Sequence, residues 1–191
     1  TWVVLASIAL AGPDDPDDPD DNDDRLAYVI NRHELDETQT RSLKLHNIHT
    51  SEKIDVIFWK DGQYDEAGLQ KLNDFLRDWR VNKQTFMDRT VLSLVFFLKR
   101  RLEQEYPPLK KEYIHVISGY RSPKANEILR NSGSGVAQKS QHILGKAIDI
   151  RFPGVPMRRA RDIALELGVG GVGYYPESRF IHVDTGRVRQ W

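Results

Sequence analysis

VGGVGYYPESRFIHVD, residues 169–184, is the stretch on which the fold turns. Val169 to Tyr175 and Phe180 to Asp184 are two short β-runs, and Pro176-Glu177-Ser178 between them is a turn. Consecutive strands joined this tightly pair antiparallel. Upstream, Pro156 opens a helix whose apolar positions are Met157, Ala160, Ile163, Ala164 and Leu167, and Gly168 closes it. Ala147 to Ile150 and Tyr113 to Ile117 read as strands. Between them, Ser122 caps and Pro123 opens a helix through Leu129, followed by the loop Asn131 to Gly135. Nearer the start, Leu43, Leu45 and Asn47 alternate with polar residues, as do Ile54, Val56 and Phe58. Thr50-Ser51-Glu52 turns between them, which predicts a hairpin. Leu69, Leu72, Leu76 and Trp79 recur at helical spacing behind Asp65. A second helix carries Val91, Val95, Leu98 and Leu102 behind Asp88 and stops at Pro107-Pro108. Strands and helices alternate without a regular βαβ period, so the expected class is α+β: a small antiparallel sheet flanked by helices.

The chain has 191 residues and no cysteine, which excludes disulfide scaffolds, thiol nucleophiles and thiolate metal sites. Its 28 basic and 28 acidic residues cancel only on paper. Eight aspartates fall between Asp14 and Asp24, leaving 28 basic against 20 acidic residues, or +8, on residues 25–191. Residues 1–11 (TWVVLASIALA) are apolar and end in a small-x-small pattern. They are expected to be the remnant of a signal peptide, with a packed N-terminal element as the other reading. Eleven apolar residues are too few for a bilayer, which needs about 20, so no stable membrane insertion is expected after processing. Residues 12–24 repeat Pro-Asp-Asp and are expected to be an acidic, disordered linker. Export to the periplasm or cell envelope is expected from the first of these segments. Lys99-Arg100-Arg101 reads as a helix end favoured by the dipole rather than a nucleic-acid patch.

The polar residues of the last strands carry the chemistry. In the run Ser140 to Asp149 (SQHILGKAID), Ile148 and Ile150 share one strand face, while Ala147 and Asp149 share the other. His142 lies seven positions before Asp149, and Gly145 supplies the bend that can return it to that side. His182 and Asp184 are two apart and face one way. If their strand pairs near Asp149, two imidazoles and one carboxylate meet, with a fourth position open, as in catalytic zinc sites. Hydrogen-bonded structural histidines are the alternative reading. His33, His46, His49 and His115 read as surface or core residues. Neighbours on a strand face opposite ways, so one of Tyr174 and Tyr175 lines a cleft and the other is buried.

Four segments together resemble the LAS zinc metallopeptidases, the superfamily of lysostaphin-type, D-Ala-D-Ala carboxypeptidase and hedgehog domains. They are SGYRSPKAN (118–126), SQHILGKAID (140–149), GGVGYYP (170–176) and FIHVDTGRVRQW (180–191). The nearest likeness is to the YcbK-like branch of murein peptidases, which the hairpin at residues 42–62 also resembles. The resemblance implies a zinc peptidase domain over residues 25–191 with an N-terminal hairpin, a fold like that of hedgehog and D-Ala-D-Ala peptidase domains, and Zn2+ held by His142, Asp149 and His182. It implies Arg121 facing the substrate carbonyl, Ser140 and Tyr174 at the substrate, and peptidoglycan stem peptides or cross-links as what is hydrolysed. An ion-pair role is the other reading of Arg121. One departure stands out. Relatives place a Glu or His base two or three residues before the last histidine, where this chain has Phe180 and Arg179. That leaves Asp184 as the candidate base, with Glu177 as a more distant one, or Asp184 as a partner of a ligand imidazole. It also leaves a catalytically inactive, zinc-holding module that binds wall peptides, or a metal-free structural domain, as alternatives to an enzyme.

Overall fold

The computed structural model describes residues 39–131 and 140–191. The expected signal-peptide remnant and acidic linker lie outside the described residues, as does most of the loop after Asn131. Eight strands form one sheet, in the order β3-β2-β1-β4-β5-β7-β6-β8. They are β1 (Arg41–Asn47), β2 (Lys53–Lys60), β3 (Gln63–Tyr64), β4 (Ile114–Ser118), β5 (Ala147–Arg151), β6 (Gly171–Tyr175), β7 (Phe180–Asp184) and β8 (Arg189–Gln190). The helices are α1 (Glu66–Phe75), α2 (Arg89–Glu105), α3 (Pro123–Asn131) and α4 (Met157–Leu167). The class is α+β, as the interspersed pattern predicts.

The sheet is mixed rather than wholly antiparallel, because β1 pairs with β4 and β6 with β8 in parallel. Parallel pairing needs a long crossover. Between β1 and β4 the chain supplies it with the β2–β3 hairpin, α1 and α2.

Alternation builds the sheet locally. Leu43 and Leu45 of β1 are buried, and so are Val56 and Phe58 of β2. The turn between them is tied by Asn47, whose Oδ1 accepts the amides of His49 and Thr50 at 2.9 and 3.2 Å. Asp65 caps α1 through the Ala67 amide, and Asp88 caps α2 through the Val91 amide at 2.9 Å. Val91, Val95, Leu98 and Leu102 of α2 meet Ile163 and Leu167 of α4 in one core with Ile148, Ile150, Ile181 and Val183. The helical faces therefore cover one side of the sheet. Asp149 and His182, between those apolar positions, are left on the other.

Two helical readings change. Helix α1 ends at Phe75, with Leu76 as its cap, so Trp79 leaves the predicted stripe. Past that cap Asp78 ties the chain down: its backbone bridges Lys83, and its buried carboxylate accepts the Ser122 amide at 2.9 Å. Lys99 is not at a helix end either. It is buried inside α2 and paired with Glu103 at 3.0 Å.

Candidate metal centre

His142 sits on a single 3-10 turn, Gln141–Leu144, capped by Ser140, whose Oγ accepts the His142 N–H at 3.3 Å. Gly145 then reverses the chain at φ 69°, a left-handed conformation. A Cβ there would lie 2.6 Å from the Phe86 carbonyl oxygen. This is the bend that returns His142 to the Asp149 side. Asp149 pairs directly with His182 across β5 and β7, so the two side chains share a face.

The three donors converge. His142 Nε2 lies 3.2 Å from His182 Nδ1 and 3.2 Å from Asp149 Oδ1, and the last two atoms are 2.9 Å apart. Metal–nitrogen bonds of about 2.0–2.1 Å in a tetrahedron imply ligand atoms about 3.3 Å apart, so this triangle is the size of one tetrahedral face. The remaining ring nitrogens are committed elsewhere. His142 Nδ1 is 2.7 Å from the Gly119 carbonyl, and His182 Nε2 is 2.8 Å from Asp184 Oδ2. Those acceptors hold protons on the outer nitrogens and turn the inner lone pairs toward one point, as outer partners do in metal sites. All three donors are buried.

Facing lone pairs at this distance need positive charge between them. Burial alone would lower the pKa of His182, but hydrogen bonds to Asp149 and Asp184 outweigh it and raise the value to about 9. Burial would raise the pKa of Asp149, yet the charge and hydrogen bond of His142, with those of His182, hold it well below the usual carboxylate range. The donor set and its electrostatics suit a divalent cation with nitrogen and oxygen ligands.

A cleft of about 750 Å³ opens over this cluster and is lined by Ser140, Arg121, Tyr175 and Arg189 among others. Arg121 is 8 % exposed, lies 3.7 Å from Asp149 Oδ2, and leaves its Nε without a partner among the described residues. Tyr174, expected at the substrate, is elsewhere. Gly173 is the residue that pairs with His182, so Gly173 and Tyr175 share the cleft face. Tyr174 turns to the helical side, where the Arg161 guanidinium lies 5.0 Å over its ring. Glu177 is exposed on the turn and does not line the cleft.

Asp184 is fully buried beyond His182, on the side away from Asp149 and His142. Its Oδ1 accepts the amides of Gly171 and Gly186, and Arg189 engages both oxygens at 3.1 and 2.7 Å. Burial acts to raise its pKa, but His182 and Arg189 hold it below the usual range. Of the two expected roles, this arrangement suits the partner of the His182 imidazole and not the base. Arg189, which the residue pattern alone did not single out, completes the chain Arg189–Asp184–His182.

Residues 36–191 match the family model described as Peptidoglycan L,D-endopeptidase MepK. The chain is 40% identical over 157 residues to the Peptidoglycan L,D-endopeptidase MepK of Escherichia coli K12, covering 82% of this chain and 83% of that protein. The same figures hold for the protein of that name from Shigella flexneri. It is 42% identical over 151 residues to the Probable peptidoglycan L,D-endopeptidase MepK of Haemophilus influenzae, covering 79% of this chain and 78% of that one. No solved structure matches it. With the family model covering the whole described fold, this chain belongs to the peptidoglycan L,D-endopeptidase MepK family.

Proposed function

We propose that this chain is an exported, zinc-dependent endopeptidase that hydrolyses a peptidoglycan cross-link; its relatives are named peptidoglycan L,D-endopeptidases. One observation carries the proposal: two imidazoles and a carboxylate, each imidazole fixed by an outer acceptor, converge on one point at the floor of a cleft. His142, Asp149 and His182 are the residues that would hold the ion. Zinc bound there supplies Lewis acidity toward water and toward a peptide carbonyl.

The chain's own residues do the rest. The Gly119 carbonyl and Asp184 orient the two imidazoles. Arg121 lines the cleft with donors to spare, and it stabilises negative charge growing on the substrate carbonyl oxygen, worth a few kcal/mol for one well-placed donor. Tyr175 and Ser140 line the walls that position the peptide. A domain of residues 25–191 carrying +8 suits an anionic wall polymer. The leader and acidic linker at residues 1–24 fit an envelope protein, and no described helix is long and apolar enough to cross a membrane.

A second reading has an observation in its favour. Asp149 is the one carboxylate among the described cleft-lining residues, and the donor set already uses it. On that reading the domain binds wall peptides through zinc without cutting them. Incubating the zinc-loaded protein with purified cross-linked muropeptides decides between them. The endopeptidase gives new masses for the separated stems, loses them with a chelator and regains them with zinc. Bound peptide without cleavage would overturn the proposal in favour of the binding module.

A further inference from the structure

Arg80 lies outside the donor cluster, and nothing in the proposed chemistry uses it. Past the end of α1 the backbone forms a separate loop beside the cleft. Its anchor is Asp78, fully buried: Oδ2 accepts the Ser122 amide at 2.9 Å and Oδ1 the Arg80 amide at 3.2 Å. Backbone hydrogen bonds between Asp78 and Lys83, at 2.7 and 3.2 Å, close the loop. On this anchor Trp79 stacks against His49, with ring centroids 5.0 Å apart and planes 22° apart. The Arg80 guanidinium lies over the Trp79 ring at 4.5 Å. Arg80 and His49 both line the cleft that holds the donor cluster.

The guanidinium is held but not satisfied. Its approach to Asp78 is 3.7 Å, beyond a hydrogen bond, and both oxygens of Asp78 already accept backbone amides. Among the described residues it makes no side-chain hydrogen bond. An aromatic face fixes a cation without occupying its donors, so the planar fork stays available for a bidentate acceptor.

Charge in the cleft points the same way. Among the described residues three arginines line it, Arg80, Arg121 and Arg189, against the single carboxylate of Asp149. Arg189 is neutralised by Asp184, and Arg121 faces Asp149, which the imidazoles also share. Arg80 approaches the buried Asp78 at 3.7 Å, as Arg121 approaches Asp149, but of the three it is the exposed one, and its fork makes no side-chain hydrogen bond among the described residues, so an anionic group on the ligand finds its donors open.

We infer that Arg80, held on the Trp79–His49 stack, recognises a free carboxylate of the bound peptide and so sets which bond lies over the donor cluster. The inference takes its substrate from the peptidoglycan endopeptidase reading and adds which part of that substrate the cleft grips. Arg80 is a specificity residue on this account, not a catalytic one.

The test uses the zinc-loaded chain and three forms of one cross-linked muropeptide: unmodified, amidated at the C-terminal carboxylate, and amidated at the side-chain carboxylates. For the parent protein one amidation raises KM on the order of tenfold, the worth of one charge-assisted hydrogen bond in a partly solvated site. Which amidation does so tells the two carboxylates apart. Arg80→Ala shows that rise on the unmodified form, in KM rather than kcat, keeps its zinc, and responds no further to amidation. Arg80→Lys falls between, having the charge without the fork. The inference is overturned if Arg80→Ala stays as sensitive to amidation as the parent, or if neither amidation affects the parent. Should the loaded parent cut none of the three, the endopeptidase reading fails separately. Calorimetric binding of the same peptides then decides: weaker binding of the unmodified form by Arg80→Ala supports the inference, and equal binding overturns it.

Discussion

Both oxygens of Asp184 are taken, Oδ1 by the Gly171 and Gly186 amides and Arg189, Oδ2 by Arg189 and the His182 Nε2. A carboxylate so engaged gains little by accepting a proton, and it steers the imidazole it touches. Asp184→Asn keeps the shape and removes the charge that orients His182. We expect zinc affinity to fall about 10–100-fold, measured directly by competition with a chelating dye, and hydrolysis to return in excess zinc. Loss of turnover at full zinc occupancy would instead make Asp184 part of the proton chemistry. His142→Ala differs in kind, since it removes a corner of the donor triangle. It should abolish stoichiometric zinc, read by elemental analysis, and excess metal should not restore activity. Retained zinc would mean that the ion is held elsewhere.

The element that brings the donors together is the bend at Gly145, and two costs meet there in any substitution. A side chain at φ 69° is strained by about 1–2 kcal/mol, and its Cβ would press on the Phe86 carbonyl at 2.6 Å. Gly145→Ala should lower stability by at least about 1 kcal/mol in urea unfolding and weaken zinc, because His142 lies on the same turn. An unchanged unfolding midpoint would show that the turn tolerates a side chain. The parallel pairing of β1 with β4 gives a pH-dependent counterpart. It sets His46 beside His115, with rings 5.2 Å apart, while Arg151 donates to His115 Nδ1 at 3.2 Å. Burial, then Arg151, then His46 and Lys53 lower the His115 pKa against a weaker opposing pull from Glu112. The unfolded chain therefore binds that proton more readily, and His115 subtracts stability as pH falls through about 6.5. His115→Gln should flatten the urea midpoint between pH 8 and 5 relative to the parent, and parallel curves would remove His115 as the cause. This same pairing was not legible in the sequence. Alternation in Leu43–Leu45 and Val56–Phe58 marks strands, and Asp65 and Asp88 mark helix starts, because those signals are local. Which strand lies beside β1 is decided across two helices, and β8 is two residues long, too short for a period. Tyr174 and Tyr175 show the limit at the site: alternation says they diverge, but only the pairing of Gly173 with His182 says which one meets the cleft. Arg80 left no signal at all, since a loop residue has no periodicity to betray it.

At the scale of the whole molecule, charge is divided along the chain. Residues 14–24 hold eight aspartates and no basic residue, and residues 25–191 carry +8. Lys60, Lys71, Lys83, Lys110 and Lys111 are exposed outside the cleft, and Arg80 and Arg121 line it. Attraction to an anionic polymer therefore has two components of different range. The spread charge acts through solvent and is screened with a Debye length of about 10 Å at 0.1 M salt, shrinking to about 3 Å at 1 M. Contacts to the donor cluster act at bonding distance and feel salt far less. Binding to purified sacculi, read by co-sedimentation, should thus weaken steadily from low to high salt. His142→Ala, which loses the ion but none of the distributed charge, should bind less at every salt concentration with the same slope. Removing residues 1–24 should strengthen binding at low salt and change nothing at 1 M, because losing the eight aspartates raises the formal net charge from 0 to +8. A slope that vanished in His142→Ala would place the salt-sensitive attraction at the metal site itself, and the distributed charge would have no part in finding the wall.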